Sequence, residues 1–197
     1  MGFAVVPVAL VLTTFAVAGP SYSVFNRTTA NPGNAWAAGT VTLQNNSSGS
    51  NAQTGTALFS ASGLQPGATA SKCVAVTSSS TVGTSVSLYV SDVTPSGTGS
   101  LPSYVSMTVT MGTGSSGTNG DCTGYAQTSV LATGLHLDGA GGTGLPTTFT
   151  GGVTGWSPTA GSDTRVFKFT YTIDTTVPNT LQDSSATATF VWEAQSS

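Results

Sequence analysis

His136 is the only imidazole in the chain, so any Ser-His-Asp arrangement would have to be built on it. Asp138 or Asp121 would orient it, and the nucleophile would be one of 27 serines. No serine stands in a G-x-S-x-G turn, the sharp bend that presents an activated hydroxyl. The H-E-x-x-H pair of zinc peptidases is missing too. Glycosidase chemistry needs two carboxylates flanking one bond. The chain has seven acids: Asp92, Asp121, Asp138, Asp163, Asp174, Asp183 and Glu193. Most fall in Gly/Ser/Thr-rich stretches, where an Asp side chain commonly bonds the backbone of its own turn. Two loop aspartates with backbone carbonyls would suit calcium, but no EF-hand spacing accompanies them. The run Gly139-Ala140-Gly141-Gly142-Thr143-Gly144 has the glycines of a phosphate loop without its lysine or its helix. We therefore expect no catalytic residue, no metal site and no cofactor.

Cys73 and Cys122, far apart and with one histidine for company, do not close a zinc site. An even pair in an exported chain predicts a disulfide instead. Trp36, Trp156 and Trp192 could offer flat apolar area to a sugar. Trp192 alternates with Phe190 and is expected to point inward. Trp156, in a Gly-rich stretch, is expected at the surface. Asn26-Arg27-Thr28 and Asn45-Asn46-Ser47 match N-glycosylation acceptors.

These residues sit in a chain of 197 that is nearly uncharged. Charged types make up 6%, with Lys+Arg 4 and Asp+Glu 7, against roughly 25% in an ordinary soluble domain. Four scattered cations cannot neutralise a run of phosphates, which excludes nucleic acid as a partner. There is no polybasic patch for anionic lipid either. Thr 35, Ser 27 and Gly 25 dominate, yet 8 Phe, 5 Tyr and 3 Trp supply a core. Thr and Val in place of Leu, Glu and Lys favour strands over helices.

Residues 3–18, FAVVPVALVLTTFAVA, form an apolar run shorter than a membrane span. Ala16-Val17-Ala18 before Gly19 reads as a signal-peptidase site. The first cation is Arg27, so the basic start of a signal peptide is missing and the true start is expected upstream. A signal peptide over 1–18 is the preferred reading, and an N-terminal membrane anchor the other. The mature protein is expected to be secreted, with no stable membrane span after cleavage.

Beyond residue 34, period-2 alternation recurs and helical periodicity does not. Strands are expected at Thr40–Leu43, Thr56–Phe59, Ala70–Thr77, Thr84–Val90, Val105–Met111, Arg165–Ile173 and Ala186–Ala194. In the clearest, Phe167, Phe169, Tyr171 and Ile173 point one way and Lys168, Thr170 and Thr172 the other. Pro66-Gly67 marks a turn. The stretches from about Gly112 to Gly120 and from Gly139 to Gly144 are expected as loops. Seven or more short strands make an all-β fold, an antiparallel β-sandwich of jelly-roll type, as one domain over 35–197.

Three segments carry a resemblance. The first runs from Asn34 to Leu43 and contains Trp36, Ala38, Gly39 and Thr40. The second is Leu58 to Gly67, with Leu64-Gln65-Pro66-Gly67 before a strand. The third is the ending Ala188-Thr189-Phe190-Val191-Trp192-Glu193-Ala194-Gln195. In this order they resemble the TasA/camelysin family of secreted biofilm-matrix proteins, while residues 80–165 match nothing recognisable. The resemblance implies a jelly roll exported through a dedicated signal peptidase. It further implies a homopolymeric fibre in which each subunit donates an N-terminal strand to the next, with other matrix components as further partners. The metalloprotease label carried by camelysin-like members has no zinc motif to rest on here. The scarcity of Lys and Glu and the cysteine pair also depart from the family.

Residues 19–34 lie between the cleavage site and the first regular strand. Tyr22 and Val24 fall on one face, Ser23 and Phe25 on the other, and Pro32-Gly33 forms a hinge. Such a segment suits an exposed sheet edge of another copy. A free tail or an edge strand within its own subunit is the competing outcome. Two other functions stay open beside the fibre: an adhesin or carbohydrate-binding module using Trp156, and a secreted hydrolase.

Overall fold

Alternation of apolar and hydroxyl side chains does what the period predicts, and eight strands form among the described residues. A computed structural model describes residues 39–47, 56–114, 117–138 and 144–196. The expected signal peptide (1–18), the candidate donor segment (19–34, with Tyr22, Val24 and Phe25), and Trp36 and Ala38 lie outside the described residues. The strands are β1 (Val41–Asn45), β2 (Thr69–Ser80), β3 (Thr84–Ser96), β4 (Val105–Thr113), β5 (Ala126–His136), β6 (Val153–Trp156), β7 (Gly161–Ile173) and β8 (Ser185–Ser196). Two short 3-10 turns, Leu101–Tyr104 and Asn179–Leu181, are the only helical pieces among the described residues.

All the strand ladders are antiparallel, and two sheets result, β1-β2-β7-β4-β5 and β6-β3-β8. They pack face to face as a sandwich with one shared core. The chain changes sheet between β2 and β3, between β3 and β4, and at each step from β5 to β8. β2-β7-β4-β5 opposite β6-β3-β8 is the jelly-roll strand order. β1 departs from it, because it pairs with β2 while lying against β8 without a ladder.

β7 is the central strand, bonded to β2 over Gly161–Thr172 and to β4 over Val166–Ile173. Its inward side chains are almost sealed: Phe167 3%, Phe169 0%, Tyr171 9% and Ile173 2% exposed. Phe169 stacks obliquely on Phe190 at 4.5 Å and meets Trp192 edge-on at 5.8 Å. Burial of large aromatic area at this crossing joins the two sheets.

The expected strand at Thr56–Phe59 is not one. The stretch is irregular, and Leu58 and Phe59 serve the core through their side chains, with the Phe59 ring 5.3 Å from Tyr171. The chain then turns at Pro66-Gly67, where Gly67 has φ 80° and its N–H donates to the Ile173 carbonyl at 2.9 Å. That turn leads directly into β2. Upstream, Gly39 backs onto the β2–β3 turn: a Cβ there would come within 2.6 Å of a Val82 methyl. Thr40 is fixed by Thr81 in both directions, accepting from the Thr81 N–H at 2.9 Å and donating to the Thr81 hydroxyl at 2.8 Å. Leu43 packs on the core, whereas Leu64 is 40% exposed.

Two strands escaped the sequence pattern. β5, AQTSVLATGLH, is a mostly exposed outer strand whose register with β4 shifts three times. Its alternation is broken by these bulges and by Gly134 at φ 59°. β6 has only four residues, and Gly155 at φ 132° interrupts it.

Candidate functional site

The residues that could do chemistry are dispersed and employed locally. His136 ends β5 opposite Ser106 on β4, and its Nδ1 is buried with no hydrogen-bond partner. Both expected orienters hold hydrogen bonds elsewhere. Asp121 accepts from the N–H and hydroxyl of Thr123, both at 2.9 Å, closing an Asx turn. Asp138 accepts from the Ser100 hydroxyl at 3.1 Å and from Ser103. The acid that feels the histidine is Asp174. Its carboxyl is held below the usual range, first by the Thr176 N–H, then by the Thr176 hydroxyl, and last by the charge of His136, against a small opposing desolvation.

The remaining acids follow suit. Asp163 accepts the Trp156 indole N–H at 2.7 Å and pairs with Arg165 at 3.2 Å. Glu193 accepts the Tyr89 hydroxyl at 2.9 Å. Burial first, then this hydrogen bond and the Glu193 charge, push the Tyr89 pKa above its usual value. Asp92 and Asp138 both line an open pocket of about 430 Å³ with Val90, Pro102 and Thr147. Among the described residues, no three His, Cys, Asp or Glu side chains gather where a metal ion could sit. The pocket holds two carboxylates, each with serine donors.

Trp156 is not at the surface. It is 4% exposed, its ring lies 6.0 Å from Phe167, and its N–H is committed to Asp163. The Gly-rich context misleads because Gly155 and Gly161 bend the chain so that the indole turns into the sandwich. Trp192 does face inward, against Phe167 at 5.5 Å.

The cysteines pair as expected, with Cα atoms 5.0 Å apart and a sequence separation of 49. A closed loop of that size stabilises the fold by about 4 kcal/mol through unfolded-chain entropy. Cys73 lies beside Lys168 on the outer face of the larger sheet. The bond therefore holds residues 117–125, the β4–β5 connection, across that face as a strap. Beneath it, Cys73, Val166 and Thr110 are buried although they point away from the core. The Tyr125 hydroxyl meets the Thr110 hydroxyl at 2.7 Å. Gly112 makes room for the strap, since a Cβ there would sit 2.1 Å from the Ala126 carbonyl oxygen and 2.8 Å from the Tyr125 ring. No helix among the described residues is long and apolar enough to cross a membrane, and the disulfide indicates folding in an oxidising environment.

The feature that sequence reasoning missed is an edge. Among the described residues, β8 is ladder-bonded to β3 alone. Its inward side chains Ala188, Phe190, Trp192 and Ala194 pack on the core yet remain only partly buried. The contrast with sealed β7 means that this flank of the core is incompletely covered. The other edges are defended. β1 has 5 residues and β6 has 4, too short to template a partner, and β5 is bulged and polar. β8 has 12 residues and one register shift. Alternation marks β8 as a strand, but whether a strand has a second neighbour is set by topology, which no local pattern encodes.

No known family model matches this chain, and no curated protein matches its sequence.

Proposed function

We propose that this chain is a secreted structural subunit of extracellular fibres, related to the TasA/camelysin proteins. In this reading, residues 19–34 of one copy add as a strand to the β8 edge of the next, which has no ladder partner among the described residues. The observation that carries it is the long, half-covered β8 edge. An added strand bonds the β8 backbone groups that have no ladder partner among the described residues, and its alternate side chains cover Phe190 and Trp192. Tyr22 and Val24 on one face, or Phe25 on the other, supply those side chains, and Pro32-Gly33 lets the segment leave its own subunit. Donor and acceptor are different surfaces, so the contact is heterologous and propagates as an open filament. The disulfide and the apolar stretch over 3–18 support export, and the hydrogen bonds that engage Asp92, Asp121, Asp138, Asp163, Asp174 and Glu193 within the fold support a structural role.

The test compares the chain starting at Gly19 with one starting at Ala35, by negative-stain microscopy at rising concentration. Filaments from the longer chain and a folded monomer from the shorter support the reading. The same filaments from both, or none from either while both stay folded, refute strand donation.

A further inference from the structure

We infer that Asn119 is a self-modification site, a succinimide-forming asparagine that the folded β4–β5 connection holds in check. This is independent of fibre assembly. Asn119-Gly120 is the one Asn-Gly pair among the chain's eight asparagines. The glycine has no Cβ to obstruct the approach of its nitrogen to the Asn119 Cγ. The nitrogen gives up its proton and bonds to Cγ, the Cγ–Nδ2 bond breaks, and ammonia leaves with that proton. Water then opens the cyclic imide at either carbonyl, leaving aspartate or its isoaspartate isomer. Nothing is oxidised or reduced, and water is the only co-reactant.

The fold puts two brakes on this reaction. Thr118–Asp121 form a turn closed by the Asp121 N–H on the Thr118 carbonyl at 3.2 Å. Asn119 keeps a negative φ and Gly120 takes φ 86°, the pattern of a type II turn, which favours glycine at its third position. The central N–H of such a turn is not used inside it. Here the Gly120 N–H donates to the Cys73 carbonyl at 2.7 Å, so the attacking nitrogen has its proton and its direction fixed on β2. Cys122, just beyond the turn, is bonded to the same Cys73. The second brake is on the carbonyl under attack. Attack turns Asn119 Oδ1 into an oxyanion, and charge developing in a dry site needs a donor aimed at it. Oδ1 is buried with no hydrogen-bond partner among the described residues, so burial opposes that charge.

Both brakes lie in the turn, and both release when it opens locally. Each opening then carries a chance of a change that closing does not undo. A neutral amide becomes a carboxylate beside Lys72, whose Nζ lies 3.7 Å from where a Gly120 Cβ would stand. Isoaspartate also lengthens the main chain by a methylene between the two backbone bonds just described. The converted fraction of a population of subunits therefore counts the openings of this connection since folding.

The experiment holds the mature chain, residues 19–197 with its disulfide intact, in mildly alkaline buffer, both folded and in concentrated guanidinium chloride. Peptide mass spectrometry follows the mass gain of amide-to-acid exchange, and isoaspartyl methyltransferase labelling counts the isomer. In denaturant, conversion at Asn119 is expected to outrun that at every other asparagine. In the folded chain, checked by far-UV circular dichroism, it is expected to be at least about tenfold slower. Amide exchange at Gly120, read by NMR, supplies the deciding comparison. One opening feeds both reactions, so the exchange protection and the slowing of conversion should agree within about tenfold. Conversion in denaturant no faster at Asn119 than elsewhere overturns the site. Folded chain converting at the denatured rate, or converting while the Gly120 amide stays protected, overturns the brakes. Gly120→Ala is read in denaturant, where its effect on folding does not enter, and should remove the preference for Asn119. A preference that persists overturns the succinimide route.

Discussion

Trp156→Ala should act on stability and not on recognition. The indole is 4% exposed and packs on Phe167, so truncation removes a buried aromatic at about 3–5 kcal/mol. The indole N–H to Asp163 is charge-assisted, but Asp163 is 32% exposed in its side chain and keeps its ion pair with Arg165. Solvent screening reduces that hydrogen bond to about 1 kcal/mol. Trp156→Phe, which keeps a ring and loses the N–H, should therefore cost about 1–2 kcal/mol, and Asp163→Asn less than about 1 kcal/mol. With a urea slope near 2 kcal/mol per M, Trp156→Ala lowers the midpoint by about 2 M. Far-UV circular dichroism follows the transition without relying on the fluorophore removed. A Trp156→Ala midpoint within about 0.3 M of the parent would refute the placement of the side chain. So would loss of binding to an insoluble glycan at unchanged stability.

Gly112→Ala should detach the strap without melting the core, because the new methyl collides with the Ala126 carbonyl and the Tyr125 ring. A loss of about 2–3 kcal/mol with retained near-UV Phe signals is expected in urea titration. Asp92 sits at φ 52° in the β3 bulge, so Asp92→Gly should be neutral or stabilise by up to about 1 kcal/mol in the same assay. Tyr89 has a folded pKa raised above its unfolded value, so its contribution is full below about pH 10 and lost as pH rises through the folded pKa. Absorbance titration should find a tyrosine ionising late, and Glu193→Gln should bring it earlier by removing the neighbouring charge.

How far the sequence speaks depends on what each strand borders. β7 was legible to the residue, since Phe167, Phe169, Tyr171 and Ile173 each face one core and Lys168 and Thr170 the other side. The disulfide was legible from its count alone, and the strap it makes follows from Cys73 facing outward. β5 was not, because an outer strand with both faces partly wet has no alternation to show. Thr56–Phe59 misled in the opposite sense: apolar side chains at strand spacing packed on the core without a ladder. Trp156 misled because glycines were read as surface when two of them make the bend that buries it. The acids were read correctly as turn residues in Asp121 and Asp174, where the side chain caps the second residue onward.

The β2–β7 ladder also governs how the protein is worn away. Proteases that cut after Lys or Arg have four positions to use: Arg27, Lys72, Arg165 and Lys168. Three of these lie within the ladder, opposite Phe169, Val76 and Cys73 respectively. Such enzymes must draw their substrate out as a single extended strand, and a paired central strand is released only when the sandwich opens. Among these four positions, Arg27 alone lies outside the β2–β7 ladder. What survives is a core that trypsin-like enzymes in the surroundings cannot shorten, made durable by where its few cations were placed.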